Sequence, residues 1–396
     1  MLDKYQIPRE KIEQLKKILA QEQLDGLVIL TREAADPMLP FLCGEDAVHM
    51  GAAFFMRDGH NVMITSQSDE KKYYPSGIFS EVLTYDKGLE EVFLPVLERL
   101  APKKLALNYS ENDVIADGLT YGLYCMLEQM LGAERMTELC VSGETVIREL
   151  CSVKSETEIQ CLHDAIQITN DIYDEVLSRV RCGMSECEIG DLFVEGMKSR
   201  DVINGLGQPY DYPIVCVVRE GLAHRSPSKA ATRPGDILIM DFSINYHGYI
   251  SDIARTAYFL KPGETQPPAD IQYAFETARG AITKTIDFIG AGKLGWEVDA
   301  VGRKAVEDGG FPTVRHAVGH PIGRRCHDSG TSLSRKREDN MAACCRPIRC
   351  NEVYAIEPTV IQDDGLPCML VEEDVVIRPE GAEVLSRRQT QLYLIG

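Results

Sequence analysis

Between Pro234 and Leu260 the chain reads PGDILIMDFSINYHGYISDIARTAYFL, two apolar runs that meet at Tyr246-His247-Gly248 and each carry an aspartate. The pattern predicts a strand, a turn and a returning strand. Asp241 falls inside the first run, between Met240 and Phe242, and Asp252 stands just ahead of Ile253 and Ala254 in the second. A carboxylate within a β-run is costly to bury unless a partner compensates it. Two of them on facing strands need a shared partner, and a hard divalent cation, or a pair of them, prefers carboxylate oxygen. A second reading has one aspartate capping a turn and the other pairing with Arg255.

Further along, the same anomaly recurs. Glu357 closes the apolar run Val353-Tyr354-Ala355-Ile356, and Glu373 interrupts Leu370-Val371-Glu372-Glu373-Asp374-Val375-Val376-Ile377. His316 and His320 lie four apart in RHAVGHPIG. One explanation for four acidic residues in apolar runs is simpler than four separate ones. Four carboxylates and one imidazole match a two-metal site whose oxygen ligands bridge the ions.

The 396 residues suggest two domains with ample core. Short strands expected at 27–30, 52–55, 62–65 and 104–107 alternate with helices at 8–24, 88–100 and 119–131, an α/β pattern without a phosphate-binding glycine loop. The texture changes near residue 148, where Ser155-Glu156-Thr157-Glu158 and Ser185-Glu186-Cys187-Glu188 read as capping boxes opening two helices. Domains are therefore expected at 1–148 and 149–396. In the second, strands at 212–218, 236–242, 248–260, 352–356 and 369–377 surround helices at 271–289 and 296–308. A formal net charge of −19 argues against nucleic-acid binding through a basic face. No apolar stretch is long enough to span a bilayer and the N-terminus has no signal-like core, so a cytoplasmic address is expected. The 13 cysteines read as reduced thiols, with Cys326, Cys344, Cys345 and Cys350 as buried free thiols in preference to a metal cluster.

With these motifs in hand, the chain resembles the pita-bread metallopeptidases, and its two-domain form is similar to the prolidase and aminopeptidase P branch, the Xaa-Pro peptidases. PGDILIMDF and SDIART resemble that family's two-aspartate hairpin, GLAHRSPS its histidine loop, GHPIG its ligand histidine, AIEP its first glutamate and VEEDVV its second. The resemblance implies an α+β fold: an N-terminal α/β domain like that of creatinase, followed by a C-terminal pita-bread catalytic domain. It implies two divalent ions, Mn²⁺ first, with Co²⁺, Zn²⁺ or Fe²⁺ as substitutes. Asp241 would chelate one ion, Asp252 and Glu373 would bridge both, and His320 and Glu357 would complete the other. Glu357 would also exchange a proton with the water between them. His224 and His327 would donate to the scissile carbonyl, with surface-loop positions as their alternative. His316 would stand behind the ligand histidine or face the substrate, unless it is a packed core residue. Glu372 and Asp374 are expected on the opposite face of a period-two strand from Glu373.

The chain also departs from the family. Where the branch commonly has an arginine two residues before the second glutamate, this sequence has Val371, and Pro321 replaces a glycine. Arg324, between the histidines, is expected either to grip a substrate carboxylate or to pair with the protein's own acidic surface. The resulting expectation is hydrolysis of Xaa-Pro bonds at peptide N-termini or in dipeptides, by a homodimer. The alternatives are a hydrolase or lyase of a small non-peptide substrate, like ectoine hydrolase or the dimethylsulfoniopropionate lyase, and a non-catalytic binding module.

Overall fold

A computed structural model describes residues 3–219, 225–362 and 365–396. The chain forms two compact units, Met1–Cys151 and Ser152–Gly396. In the first, six strands form one mixed sheet: β1 (Gly26–Thr31), β2 (Gly51–Met56), β3 (Val62–Ser66), β4 (Glu81–Tyr85), β5 (Leu105–Leu107) and β6 (Cys140–Ser142), in the order β4-β3-β2-β1-β5-β6. The helix Gln6–Gln21 buries Ile12, Leu15, Ile18 and Leu19, which recur at helical spacing, together with Ile7 at its start. Helices Glu90–Leu100 and Tyr121–Leu131 contribute Phe93, Val96, Leu97, Leu123 and Leu127 to the core beneath the sheet.

The second unit opens with the helix Glu156–Arg179. Its capping box is formed as the sequence predicts, with Ser155 and Glu158 each satisfying the other's backbone N–H. Ser185 and Glu188 do the same for the helix Glu186–Ser199. Among the described residues eleven strands follow: β7 (Ile203–Asn204), β8 (Ile214–Val218), β9 (Ile237–Phe242), β10 (Ile244–Tyr246), β11 (Tyr249–Ile250), β12 (Ile253–Phe259), β13 (Gly319–Pro321), β14 (Val353–Ile356), β15 (Glu373–Arg378), β16 (Gly381–Val384) and β17 (Tyr393–Ile395). They make two four-stranded sheets, β17-β12-β9-β8 and β13-β14-β15-β16, and a small one, β11-β10-β7. Helices Ala269–Phe288 and Gly295–Asp308 close a shared apolar core over them, with Phe275, Ile282 and Val298 against Ile239, Tyr258, Tyr354 and Val375.

The central hairpin is not one continuous pair of strands. His247 and Gly248 both have positive φ and make a two-residue turn between β10 and β11. The return strand then breaks at Ser251-Asp252, and β12 joins β9 in the neighbouring sheet. The helix Glu156–Arg179 secures this break. Tyr173 donates from its hydroxyl to Met240 O at 3.0 Å and to Ile253 O at 2.7 Å, and Thr169 Oγ1 lies 2.7 Å from Ser251 Oγ. Asp252 therefore sits where the chain changes sheets, and not within a regular ladder.

Candidate functional site

The two four-stranded sheets deliver acidic side chains to one cavity of about 800 Å³, lined among others by Asp241, Asp252, His316, His320, Cys326, His327, Glu357 and Glu372. Asp241 projects from β9, opposite Ala254 of β12. Asp252 is held on three sides: Ser243 Oγ donates to its Oδ1 at 3.0 Å, Cys326 Sγ to its Oδ2 at 2.8 Å, and its own backbone N–H donates to Asp374 Oδ2 at 3.1 Å. His320 lies on β13, whose tight approach to β14 requires the preceding glycine. A Cβ on Gly319 would stand 2.3 Å from Ala355 O.

The imidazole of His320 defines the centre of the group. Its Nδ1 faces Pro321 O at 3.2 Å, which leaves Nε2 as the nitrogen with a free lone pair. That Nε2 stands 3.4 Å from Asp252 Oδ2, 3.8 Å from Glu357 Oε1 and 4.0 Å from Glu372 Oε1. Burial, more than any neighbour, holds the ring below its ordinary pKa and therefore neutral. These separations exceed hydrogen-bond length, so lone pairs face lone pairs across a small gap. One ligand atom each of Asp252, His320 and Glu372 lie within 4.8 Å of one another, a donor set that fits a divalent cation.

The electrostatics agree with that fit. Burial and the neighbouring Asp252 raise the Asp241 carboxyl to about 8. Burial, followed by Asp252 and Asp241, lifts Glu357 far above the usual carboxylate range, and burial, Asp252 and Glu357 do the same for Glu372. Buried carboxyls that repel one another are what a bound cation would relieve.

Several expectations need correction. Glu373 does not reach the cavity. Its carboxylate accepts from Arg255 Nη2 at 3.2 Å and from Gln389 N at 2.8 Å, and from Ser386 Oγ. Glu372, expected on the opposite face, is the residue that lines the cavity. The parity was unreadable because the strand is buried on both faces, so no apolar–polar alternation marks a side. The same contact answers the alternative for the aspartates: the buried Arg255 pairs with Glu373. Two residues before Glu372 stands Leu370, on the cavity wall. Arg324 also lies outside the lining; its guanidinium covers the Tyr249 ring at 5.7 Å.

The remaining histidines divide. His316 lines the cavity with Nδ1 2.6 Å from Ala317 O, Nε2 2.7 Å from Thr359 Oγ1 and the ring 3.9 Å from Glu357 Oε1. His327, exposed, has its ring centroid 4.4 Å from that of His320. The loop between them is closed by Asp328 N donating to Pro321 O at 3.0 Å, and the buried pair Lys154 Nζ–Asp328 Oδ2 at 3.0 Å fixes it. His224 lies outside the described residues. Sequence reasoning missed Glu372 as a cavity residue, the hydroxyl of Thr359 behind His316, and the rim residues Asn204, Asp211 and Tyr212. It also grouped Cys326 with distant cysteines, although the segment from 320 to 327 folds it against His320 and His327.

The sequence matches the model of Metallopeptidase family M24 over residues 160–379. An uncharacterised peptidase of Bacillus subtilis is 23% identical over 97% of this chain and 100% of its own length. A Xaa-Pro dipeptidase of Pyrococcus horikoshii is likewise 23% identical, over 98% of this chain and 99% of its own. Among solved structures, a Xaa-Pro dipeptidase from Bacillus anthracis superposes with a TM-score of 0.73 at 22% identity, covering 98% of this chain and 100% of that one.

Proposed function

The chain belongs to metallopeptidase family M24, and from that premise we propose that it hydrolyses Xaa-Pro bonds with two divalent ions held by Asp241, Asp252, His320, Glu357 and Glu372. The observation that carries the proposal is the convergence of Asp252, His320 and Glu372 at the floor of a cavity whose wall is apolar at Leu206, Tyr212, Pro213, Ile214 and Leu370. An Xaa-Pro bond is a tertiary amide without an N–H, so binding must come from the proline ring and the chain ends instead of from that donor. The apolar wall supplies a surface for such a ring beside the acidic floor. A divalent ion held there supplies Lewis acidity, polarising a carbonyl oxygen and making water acidic enough to attack at neutral pH.

The chain's own groups then have separate tasks. Glu357, with a carboxylate oxygen 3.8 Å from His320 Nε2, would take a proton and return it to the leaving nitrogen. Ser243, Cys326 and the Asp252–Asp374 contact keep the Asp252 carboxylate oriented. His316, fixed by Thr359, and His327 at the rim would donate to the substrate carbonyl or the developing oxyanion. A cytoplasmic address is consistent with 13 cysteines that are all free thiols. No described helix is long and apolar enough to cross a membrane. A homodimer is the assembly the family resemblance implies.

Leu370 favours a second reading, a small non-peptide substrate, because an apolar side chain stands where the branch commonly has arginine. A panel of Xaa-Pro dipeptides and tripeptides, offered to protein reconstituted with Mn²⁺ or Co²⁺, separates the two. Turnover of the dipeptides, of the tripeptides or of both supports the peptidase and defines its mode. Stoichiometric metal with no turnover of any peptide supports the second reading.

A further inference from the structure

We propose that Ser226 is a substrate-binding residue of this cavity and that Glu186, which lies off the cavity lining, is the residue that positions it, acting through Arg225 and Ser228. The inference rests on the peptidase reading of the cavity.

The Glu186 side chain has no exposed surface, and a buried carboxylate is costly unless it is compensated. Five donors among the described residues compensate it: Arg225 Nη1 at 2.6 Å and Nη2 at 2.8 Å, Ser228 N at 2.7 Å and Oγ at 2.6 Å, and Val217 N at 2.8 Å. The two guanidinium contacts form a fork, which fixes direction as well as distance. One carboxylate therefore grips both ends of the segment Arg225-Ser226-Pro227-Ser228. The same guanidinium donates to Ser226 O at 3.0 Å. The helix Glu186–Ser199 adds its first amides, with Glu186 N donating to Ala230 O at 3.0 Å and Cys187 N to Ser228 O at 3.1 Å.

What this segment presents to the cavity is Ser226. Its hydroxyl has no partner among the described residues, whereas that of Ser228 is engaged by Glu186. Cys216 Sγ donates to Arg225 O at 3.2 Å, and Ile214, two residues earlier on the same face of β8, lines the cavity opposite Asp241 of β9. Ser226 thus borders the Ile214 side of the apolar wall, where a hydroxyl can exchange a hydrogen bond with the backbone of a peptide whose proline ring lies on that wall. Fixing the segment in advance spares each substrate the entropy of ordering it.

The test is steady-state kinetics of the Mn²⁺-loaded protein on Ala-Pro and Ala-Pro-Ala, with ion content and melting temperature measured beside it. Ser226→Ala should raise KM about two- to tenfold on at least one peptide, the loss of one neutral hydrogen bond, and leave kcat within about twofold, with ion content and melting temperature unchanged. Glu186→Gln should raise KM for the same peptide at least as far. Because Glu186 acts through Ser226, the double variant should match Glu186→Gln alone to within about twofold, where independent effects would multiply. Should Glu186→Gln fail to fold, Ser228→Ala, which removes one donor to the same carboxylate, takes its place in the cycle. An unchanged KM in Ser226→Ala for both peptides overturns the inference and leaves the peptidase reading standing. Multiplying effects in the double variant overturn the positioning role of Glu186. Metal-loaded wild type that turns over neither peptide overturns the peptidase reading and this inference with it.

Discussion

The exchange of Glu372 for Glu373 at the cavity can be tested by two isosteric substitutions with opposite consequences. Glu373 faces the buried Arg255 at 3.2 Å, and both side chains are almost wholly buried, at 1% and 2% exposure. At an effective dielectric near 20, a pair at that distance attracts by about 5 kcal/mol, an upper bound on what breaking it costs. Arg255 keeps its bonds to Glu372 O at 2.7 Å, Ala254 O at 2.9 Å and Arg387 O at 2.6 Å. The cost of Glu373→Gln therefore falls near the low end for a broken buried pair, about 3 kcal/mol. For a unit of this size that lowers the melting temperature by roughly 6–12 °C.

Glu372→Gln behaves differently. In metal-free protein burial, followed by Asp252 and Glu357, raises the Glu372 carboxyl well above its ordinary range and so favours its neutral form. A neutral amide there should change stability by less than about 1 kcal/mol. What it removes is an anionic oxygen from the donor set, and with it tight metal retention. Thermal melts of metal-free protein and elemental analysis after dialysis against chelator-treated buffer measure the two effects separately. Glu373→Gln should melt early and keep its metal, and Glu372→Gln should melt normally and lose it. The reverse pattern would refute the assignment of faces along β15.

Three further expectations follow from other contacts. Glu357→Gln should abolish turnover while leaving the circular-dichroism spectrum and melting curve of the folded protein in place; near-native kcat would remove its role in proton transfer. Burial pushes the Glu186 carboxyl up, but hydrogen bonds from Arg225, Ser228 and Val217 outweigh it and bring it to about 2 from an ordinary value of 4.5. A depressed carboxyl contributes stability that is complete above about pH 4.5 and is lost as pH falls through about 2, so chemical-denaturation curves of Glu186→Gln should flatten across that window relative to wild type. Lys154→Met leaves Asp328 buried without its cation, and should cost about 3–5 kcal/mol by the same measurement, while a loss below about 1 kcal/mol would show that the loop carrying His327 is held by other contacts.

What the sequence could reveal depended on whether the relevant interaction was local. The two capping boxes were legible because Ser155–Glu158 and Ser185–Glu188 satisfy each other within four residues. Asp241, Asp252, His320 and Glu357 were legible as polar residues at the edges or middles of apolar runs, where burial without a partner would be expensive. Asp252 was placed correctly in the hairpin, but the change of sheet at Ser251-Asp252 was hidden, since a strand that switches partners keeps its alternation. Glu373 was misassigned because its partner, Arg255, lies 118 residues away and β15 is buried on both faces. Arg324 lies off the cavity lining for a related reason: its guanidinium packs over Tyr249, a contact that its position between two histidines does not reveal. Short strands such as β7, β13 and β17 have too few residues for a period to show.

Everything functional in this account depends on a cation lying among Asp252, His320 and Glu372. Anomalous diffraction from crystals of the Mn²⁺- or Zn²⁺-loaded protein, collected at the edge of the added metal, tests that most directly. The account predicts a strong peak bounded by the carboxylates of Asp252 and Glu372 and by Nε2 of His320. Crystals that contain the metal but show no peak between those side chains, or show one beside Glu373 instead, would contradict it.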